Sequence, residues 1–420
     1  MKILWVSLVE FPPLSLALGK TVSPFCGWLY ASAKAVLAQS NDIQLGVAVY
    51  SYGKKYEEYE VDGIHYYLIP TKRMTSIDSR QVKACQQAIY SFQPDLIHIY
   101  GTEHSLAQAI CKANRDRVKI VVNIQGLAGA YVRYADGGLN FYDKLLNITP
   151  LDFYRNTFLF NAKRNMRKRA ECENKVLLQI TDIIGRTQWD HDHVLTVNPN
   201  LQYHFLNETL RNSFYEGRRW SYQMCKRHTI FVSNSREPLK GAHQMLKALP
   251  IILHYYPDVK VYFCGSCVMN NDIKSKLHFQ GYHLYLRRLV KRLKLQTHVC
   301  FLGILSEQQM KQAFLDANVY VMPSAIENSP NSLCEAQILG VPVIASYCGG
   351  VSSLMENEMT GYYYRYEEYE MLAYLVIRLF KEKNFLILSQ QEQKVASVRH
   401  DREKNAKELI AIYKKLSDVS

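Results

Sequence analysis

The sequence predicts an α/β protein of two doubly wound domains, each a mostly parallel sheet covered by helices on both faces, and three observations carry that prediction. Short apolar runs alternate with helix-period segments along most of the 420 residues, the beat expected of strands buried on both faces and joined by crossover helices. The length exceeds one ordinary core and suits two domains of roughly 200 residues. Helix signals follow the apolar runs directly, as in Ser306-Glu-Gln-Gln309, which has the capping-box form, and Gly340, where another helix ends.

In the first half, strands are read at Lys2–Ser7, Ile43–Tyr50, Gly63–Ile69, Asp95–Tyr100, Val118–Ile124 and Asp182–Gly185. The second half repeats the scheme more regularly. Its strands are Thr229–Ser233, Val259–Cys264, Val299–Gly303, Val319–Met322 and Val341–Ser346, with helices opening near Lys240, Tyr282, Ser306 and Pro330. Pro250 falls inside the first of these helices, where its missing N–H and its ring are expected to kink or split it. A polar, aromatic stretch without periodicity between Asn207 and Lys226 marks the boundary, giving domains 1–215 and 216–395. From Glu367 on the pattern is helical, and the last helix is placed at 396–420. Ligands in open α/β sheets bind beyond the carboxyl ends of the strands, so two such domains facing each other are expected to make one cleft.

The segment Ser324-Ala-Ile-Glu327-Asn-Ser-Pro-Asn-Ser-Leu-Cys-Glu335-Ala-Gln-Ile-Leu-Gly340-Val-Pro-Val-Ile lays a polar site onto a helix start. Val319–Met322 reads as the buried strand before it, Ser329 as the N-cap and Pro330 as the first helical residue, where a fixed φ and a missing N–H cost nothing. Glu327 then lies in the loop before the helix, and Glu335 inside its second turn. Between them the unpaired amides of Asn331, Ser332 and Leu333 face outward, a place for an anion such as a diphosphate. A ligand with phosphate on the amides and hydroxyl-rich groups at either carboxylate is a nucleotide-sugar.

With Lys240-Gly241 upstream of this Glu-x7-Glu pair and Ala336-x-x-x-Gly-Val-Pro-Val-Ile-Ala-Ser-x-x-Gly349-Gly350 after it, the chain resembles the retaining glycosyltransferases of family 4, among the glycosyl transferases group 1. The likeness is closest from about Ile230 to Gly361. It implies the GT-B architecture: two Rossmann-like domains facing a cleft, an N-terminal one for the acceptor, a C-terminal one for the nucleotide-sugar, and a last helix crossing back to the first domain. The resemblance assigns Lys240, with the helix amides, to the charge developing on the leaving diphosphate. Glu335 would accept from the ribose hydroxyls and Glu327 from hydroxyls of the donor sugar, as carboxylates do well. Asn328, Ser329, Asn331, Ser332 and Leu333 belong to the same donor site. Gly349 and Gly350 allow close backbone approach and also make a tight turn. Relatives have an arginine five residues before the lysine; here Arg236 precedes Lys240 by four, so a phosphate contact and a solvated loop charge both stay open.

The N-terminal half departs further from the family. Relatives place a Gly-Gly pair after the first strand; Ser23-Pro-Phe-Cys-Gly27-Trp28 offers Gly27 alone. Where relatives carry a histidine at a strand end, this chain has Gln125, which takes up no proton near neutral pH but can hydrogen-bond sugar or acceptor. A retaining enzyme tolerates that, because a front-face displacement lets the leaving phosphate accept the acceptor's proton. Glu103 and His104, closing another strand, are acceptor-side candidates, while His98 reads as a satisfied strand histidine. Arg186-Thr-Gln-Trp-Asp190 resembles a motif of one branch of the family, and Arg186 is a candidate acceptor contact.

No metal site is expected. Cys264-Gly-Ser-Cys267 lacks the second pair that zinc would need and reads as a turn, and no third ligand accompanies His191-Asp-His193. On the transferase reading metal is not required, since Lys240 and helix amides replace it, and no cofactor is implied beyond the donor substrate. The ten scattered cysteines fit reduced thiols of a cytosolic protein. The first strand runs at once into Val9-Glu-Phe-Pro-Pro13, without the apolar core of a signal peptide, and no run of about 18 apolar residues spans a bilayer. A net charge of +13 needs a use. Asn161-Ala-Lys-Arg-Asn-Met-Arg-Lys-Arg169 follows an aromatic and aliphatic stretch; it is read equally as a helix at an anionic membrane surface and as a solvated helix face. Leu286-Arg-Arg-Leu-Val-Lys-Arg-Leu-Lys294 reads as an ordinary amphipathic cover. Nucleic acid is set aside because no nucleic-acid motif accompanies the charge. The expectation is therefore a cytoplasmic enzyme, with a peripheral position at the inner face of the cell membrane left open. Its partners would be a nucleotide-sugar and a glycan or lipid-linked acceptor, and its place cell-surface polysaccharide or lipopolysaccharide assembly, on family analogy. Two rivals share the architecture: a nucleotide-sugar epimerase, and a catalytically degenerate protein that binds nucleotide-sugar.

Overall fold

Apolar runs uninterrupted by turn residues pair into two sheets in the computed structural model, which describes residues 1–25, 27–53, 55–115, 118–155, 157–269, 279–382 and 385–417. The first sheet is formed by β1 (Lys2–Ser7), β2 (Gln44–Ser51), β3 (Glu57–Val61), β4 (Ile64–Pro70), β5 (Leu96–Tyr100), β6 (Lys119–Asn123), β7 (Asp182–Gly185) and β8 (Gln202–Phe205). Their order is β3-β4-β2-β1-β5-β6-β7-β8, all neighbours parallel except the β3–β4 hairpin. The second sheet is wholly parallel. It comprises β9 (Thr229–Val232), β10 (Lys260–Cys264), β11 (Val299–Gly303), β12 (Val319–Met322), β13 (Val343–Ser346) and β14 (Tyr362–Tyr364), in the order β11-β10-β9-β12-β13-β14.

Alternation along β1 shows how both faces of the first sheet are covered. Leu4 and Val6 join one apolar cluster with Ile97, Ile99 and Val122, and Ile3 and Trp5 join another on the opposite face. The last helix, Arg402–Ser417, packs onto the second of these clusters, where the Tyr413 hydroxyl accepts from Trp5 Nε1 at 2.9 Å and meets His98 Nδ1 at 2.6 Å. Burial pushes His98 down to about 3, so the imidazole is neutral; Nδ1 is engaged but Nε2 is buried without a partner, so the expected strand histidine is only half satisfied.

Three strands are absent from the sequence reading: β3, β8 and β14, each at an edge of its sheet. An edge strand needs less apolar surface. Glu57-Glu-Tyr-Glu-Val61 is mostly exposed and reads as polar, although its Asp62-Gly63 turn, with φ of 55° and 73°, carries the signature of a tight hairpin. Pro250 leaves the helix Ala242–Tyr255 continuous rather than splitting it.

Contacts divide the chain into two units, one of Met1–Ala130, Arg167–Asn212 and Arg399–Ser420, the other of Tyr131–Met166 and Ser213–Val398. The sequence boundary had kept 131–166 with the first domain. It packs with the second instead, through specific polar contacts: His243 Nε2 reaches the Gly137 carbonyl at 3.1 Å, Tyr366 donates to that carbonyl at 2.8 Å, and Gly281 N–H donates to Asp152 at 3.4 Å. Burial holds His243 at about 3; neutral, it can donate to Gly137 and accept from the Tyr282 hydroxyl 2.9 Å away. No local pattern in 131–166 announces these partners.

Candidate functional site

Three loops at the carboxyl ends of β9, β12 and β13 meet in the second unit. The β9 loop ends at Gly241, whose φ is 69° and where a Cβ would collide with the Pro323 carbonyl. Only glycine permits that approach. Ala325 N–H donates to the Leu239 carbonyl at 2.7 Å, which fastens the β9 loop to the β12 loop. Lys240 is thereby set against Glu327, Nζ to Oε1 2.6 Å, and the same oxygen accepts from Ser324 Oγ at 2.8 Å. Burial alone would lower the Lys240 pKa, but the adjoining Glu327 carboxylate outweighs it and holds the ammonium above its usual value. From the β13 side, Gly349 has φ 50° and a Cβ there would strike the Glu327 carbonyl, which accepts from Gly350 N–H at 3.0 Å. Glu327 is thus held by its backbone and its side chain at once. The Ser346 hydroxyl donates to the Ser324 carbonyl, and Cys348 lies beside the pair with its thiol pushed up to about 12 by burial.

The following helix, Asn331–Leu339, begins one residue later than expected. Pro330, with φ −73° and ψ 114°, is the N-cap, and its carbonyl accepts from Leu333 at 3.0 Å and Cys334 at 3.3 Å. Ser329 therefore precedes the cap, because the extended ψ of Pro330 puts the proline outside the helix. The Leu333 amide is engaged, which corrects the expected row of three open amides to Asn331 and Ser332; neither carries a recorded N–H bond among the described residues. Asn331 Oδ1 is buried without a partner, an acceptor open to a hydroxyl. Ser332 Oγ accepts from the buried Tyr320 hydroxyl at 2.9 Å, itself 2.8 Å from Ser233 Oγ. Asn328 and Glu335 are buried, Glu335 in the second turn as expected. Gly340 ends the helix with φ 79°. Arg236 packs against the turn at Gly265, where a Cβ would come within 2.8 Å of its Cγ. That turn contains Cys264 and Cys267, whose thiols donate to the Gly303 and Phe301 carbonyls at 3.5 Å each.

In the first unit the predicted residues fall into two groups. Glu103 and His104 touch, Oε1 to Nε2 3.0 Å, and Glu103 also accepts from Thr102 N–H at 3.1 Å. Burial would raise Glu103, yet the His104 hydrogen bond leaves it below the usual carboxylate range. Gln125 donates to Asn123 Oδ1 at 2.9 Å, and that oxygen accepts from Arg186 at 2.6 Å. Arg186, 4% exposed, is also bound to the Glu208 carboxylate and the Ile124 carbonyl. Through Asn123 Oδ1 it is linked to Gln125, and its guanidinium is engaged by these interior partners. Gly27 opens the helix Gly27–Gln39, and Trp28 beside it packs edge-on against Tyr100 at 6.0 Å.

One residue that sequence reasoning missed is Glu173. Buried in the helix Ala162–Leu177, it accepts from Thr102 Oγ1 at 3.0 Å and from the amides of Ala128 and Gly129 at 2.9 Å each, tying the β5 loop to the β6 loop. Burial pushes it up to about 7, against the lowering effect of those donors. Its local sequence, Glu171-Cys-Glu173, gives no signal of this. Ser324, Tyr320 and Ser346 were missed as well, and only the placing of Ser324 three residues before Glu327 could have suggested one of them.

The sequence model of the family described as Glycosyl transferases group 1 matches residues 224–408. The D-inositol 3-phosphate glycosyltransferase of Corynebacterium urealyticum is 26% identical over 180 residues, which is 42% of this chain and 41% of that protein, so the chain spans about two fifths of the relative's length. Sucrose-phosphate synthase from Thermosynechococcus elongatus is similar in structure with a TM-score of 0.73 at 16% identity, over 100% of both chains. Anabaena HepE, solved in complex with UDP-glucose, gives 0.67 at 16% identity over 99% of this chain and 100% of that one. Identities that low speak for the fold. The chain has the GT-B fold, and its residues 224–408 match the glycosyl transferases group 1.

Proposed function

We propose that this protein is a retaining glycosyltransferase of family 4 that moves a sugar from a nucleoside diphosphate sugar to a hydroxyl acceptor. The observation that carries the reading is the Lys240–Glu327 pair, 2.6 Å apart at the start of the helix Asn331–Leu339. A diphosphate arriving there competes with Glu327 for the ammonium. As the bond from the anomeric carbon to the diphosphate breaks, charge gathers on the leaving oxygen, and Lys240 with the Asn331 and Ser332 amides stabilises it. Glu327, relieved of its lysine, accepts from hydroxyls of the donor sugar, and Glu335 accepts from the ribose. These groups do the neutralising work, so the proposed reaction requires no metal. UDP-glucose is the ligand named for HepE, and a donor of that class is proposed here.

Gln125 has no proton affinity near neutral pH, and Glu327 and Glu335 are committed to the donor. A front-face displacement then passes the acceptor's proton to the departing phosphate and retains anomeric configuration. Glu103 and His104 are the proposed acceptor contacts. The acceptor is a glycan or lipid-linked sugar of cell-surface polysaccharide or lipopolysaccharide assembly, met by a cytoplasmic protein at the membrane's inner face through basic residues of 161–169. Among the described residues no helix is long and apolar enough to cross a membrane.

A panel of nucleoside diphosphate sugars tests the donor site by thermal shift, since a ligand at 100 times its dissociation constant stabilises by about 2.7 kcal/mol. Stabilisation by none of them would remove the reading. Product NMR tests the mechanism: an α-linked donor should give an α-linked product, and a β-linked product would overturn retention.

A further inference from the structure

Among the described residues of 141–160, large apolar and aromatic side chains face solvent while three polar ones are buried. Phe141 (61% exposed), Tyr142 (72%), Leu145 (46%) and Leu146 (64%) stand at i, i+1, i+4 and i+5 of the helix Phe141–Leu146 and so share one side of it. Phe153 (71%) and Tyr154 (88%) follow on the helix Pro150–Arg155. The buried polar groups of the same stretch are Asn147, Thr149 and Asp152, with Leu159 buried beside them. Asp152 accepts from the Thr149 amide and hydroxyl at 2.8 and 2.7 Å, from Thr157 Oγ1 at 3.0 Å and from Gly281 N–H at 3.4 Å. Asn147 donates to the Asp143 carbonyl at 2.6 Å. In water this orientation forfeits the burial of six large side chains, roughly 25 cal/mol for each Å² left exposed. At the boundary between headgroups and acyl chains the same orientation is favourable.

The charge around the patch is mainly basic, with Asp143 on the patch helix and with Lys144 and Lys163 paired to Asp136 at 2.6 and 3.1 Å. Residues 139–169 hold seven basic side chains against two acidic ones, and one of the acids is the buried Asp152. From the neighbouring helix, Gly281–Arg292, Arg288 donates to the Leu146 carbonyl and reaches Asn147 Oδ1 at 3.3 Å, which brings the exposed Lys291 and Arg292 to the same side. This is the helix whose sequence reads as a plain amphipathic cover. A second copy of the chain on this face would set its basic rim against another.

We infer that residues 141–160 form a membrane-seating surface whose occupant is an anionic bilayer. The rings of Phe141, Tyr142, Phe153 and Tyr154 enter the interface, and Arg288, Lys291 and Arg292 lie at the level of the lipid phosphates. The inference rests on the transferase reading for its lipid-proximal acceptor, and deepens it by giving the second unit an apolar anchor beside the basic run at 161–169.

Flotation of the full chain with vesicles of phosphatidylglycerol and phosphatidylcholine, against phosphatidylcholine alone, tests it. Wild type should float with the anionic vesicles only. The variant Phe141→Ser/Leu145→Ser/Phe153→Ser/Tyr154→Ser, exposed positions whose loss should leave folding intact, should lose about tenfold or more in partition at physiological salt. Lys291→Glu/Arg292→Glu should lose about fivefold per reversed charge. Three results would overturn the inference: wild type that floats with neither vesicle, an apolar variant within twofold of wild type, or a wild-type dimer that the apolar variant dissolves without any vesicle binding. Donor stabilisation measured in the same samples reports on the transferase reading alone, and its failure with flotation intact leaves the membrane surface standing.

Discussion

In the second unit, Lys240, Ser324 and Glu327 meet because glycines at 241 and 349 let one loop backbone rest on another, whereas in the first unit Thr102, Ala128 and Gly129 meet around the buried carboxylate of Glu173. A similar interior device, Glu208–Arg186–Asn123, is bonded to Gln125 through Asn123 Oδ1. The two arrangements differ in what they leave available. Backbone-to-backbone packing sets the Lys240 ammonium against Glu327 at the start of the helix Asn331–Leu339, where the proposed donor would compete for it. Side-chain hubs consume the charge of Arg186 and Glu173 in holding loops. The reacting groups are therefore expected in the second unit and the positioning groups in the first.

The largest effect that can break this comparison is on stability. Arg186→Met removes the guanidinium bound to the buried Glu208 carboxylate and to Asn123, and should cost about 3–5 kcal/mol in urea unfolding. A loss below about 1 kcal/mol would show that Arg186 is not a hub and reopen it as an acceptor contact. Next comes turnover. Lys240→Ala removes the cation proposed to face the leaving group and should depress turnover by roughly a hundredfold or more while costing less stability than Arg186→Met. Activity within a few fold of wild type would make Lys240 a structural partner of Glu327 and erase the contrast between the units. Glu335→Ala should weaken nucleotide binding by about tenfold, with much of the rate regained at saturating donor; unchanged affinity would remove its ribose role.

The finest effect concerns pH. Glu173 is raised to about 7 from an ordinary value near 4.5, so the folded state binds its proton more tightly than the unfolded chain. The stabilisation from this group is fully present below about 4.5 and is lost as pH rises to about 7. Glu173→Gln should flatten that part of the stability profile. A variant whose decline between pH 5 and 7 matches wild type would show that Glu173 titrates normally and bonds its loop amides as an ordinary carboxylate.

Most of the second unit's site was legible because its parts are contiguous. Val319–Met322, Glu327, the helix start and Gly340 lie on one short stretch, and strand burial, capping and termination are local properties. The reading slipped by one residue at Pro330, since φ is fixed by the ring but ψ is set by the loop around it. It also did not foresee the ion pair, which joins residues 87 positions apart. Edge strands β3 and β8 were missed because a strand with one neighbour need not be apolar on both faces, and β14 because its three residues are too few to show a period.

What the sequence determined by itself was the alternation of strand and helix, the parallel class of the sheets, and the glycines and carboxylates that make the second unit's loops a site. These follow from periodicity, propensity and steric freedom, which act over a few residues. Only the tertiary structure decided that 131–166 packs with the second unit, that Arg186 and Glu173 face inward, and that the aromatic side chains of 141–160 face out. Each of those outcomes depends on a partner distant in the chain, such as His243 for Gly137, Gly281 for Asp152 or Thr102 for Glu173. A charged or aromatic residue has the same local pattern whether its partner is a buried donor or water, and the choice is made by burial energies that exist only once the sheets have assembled.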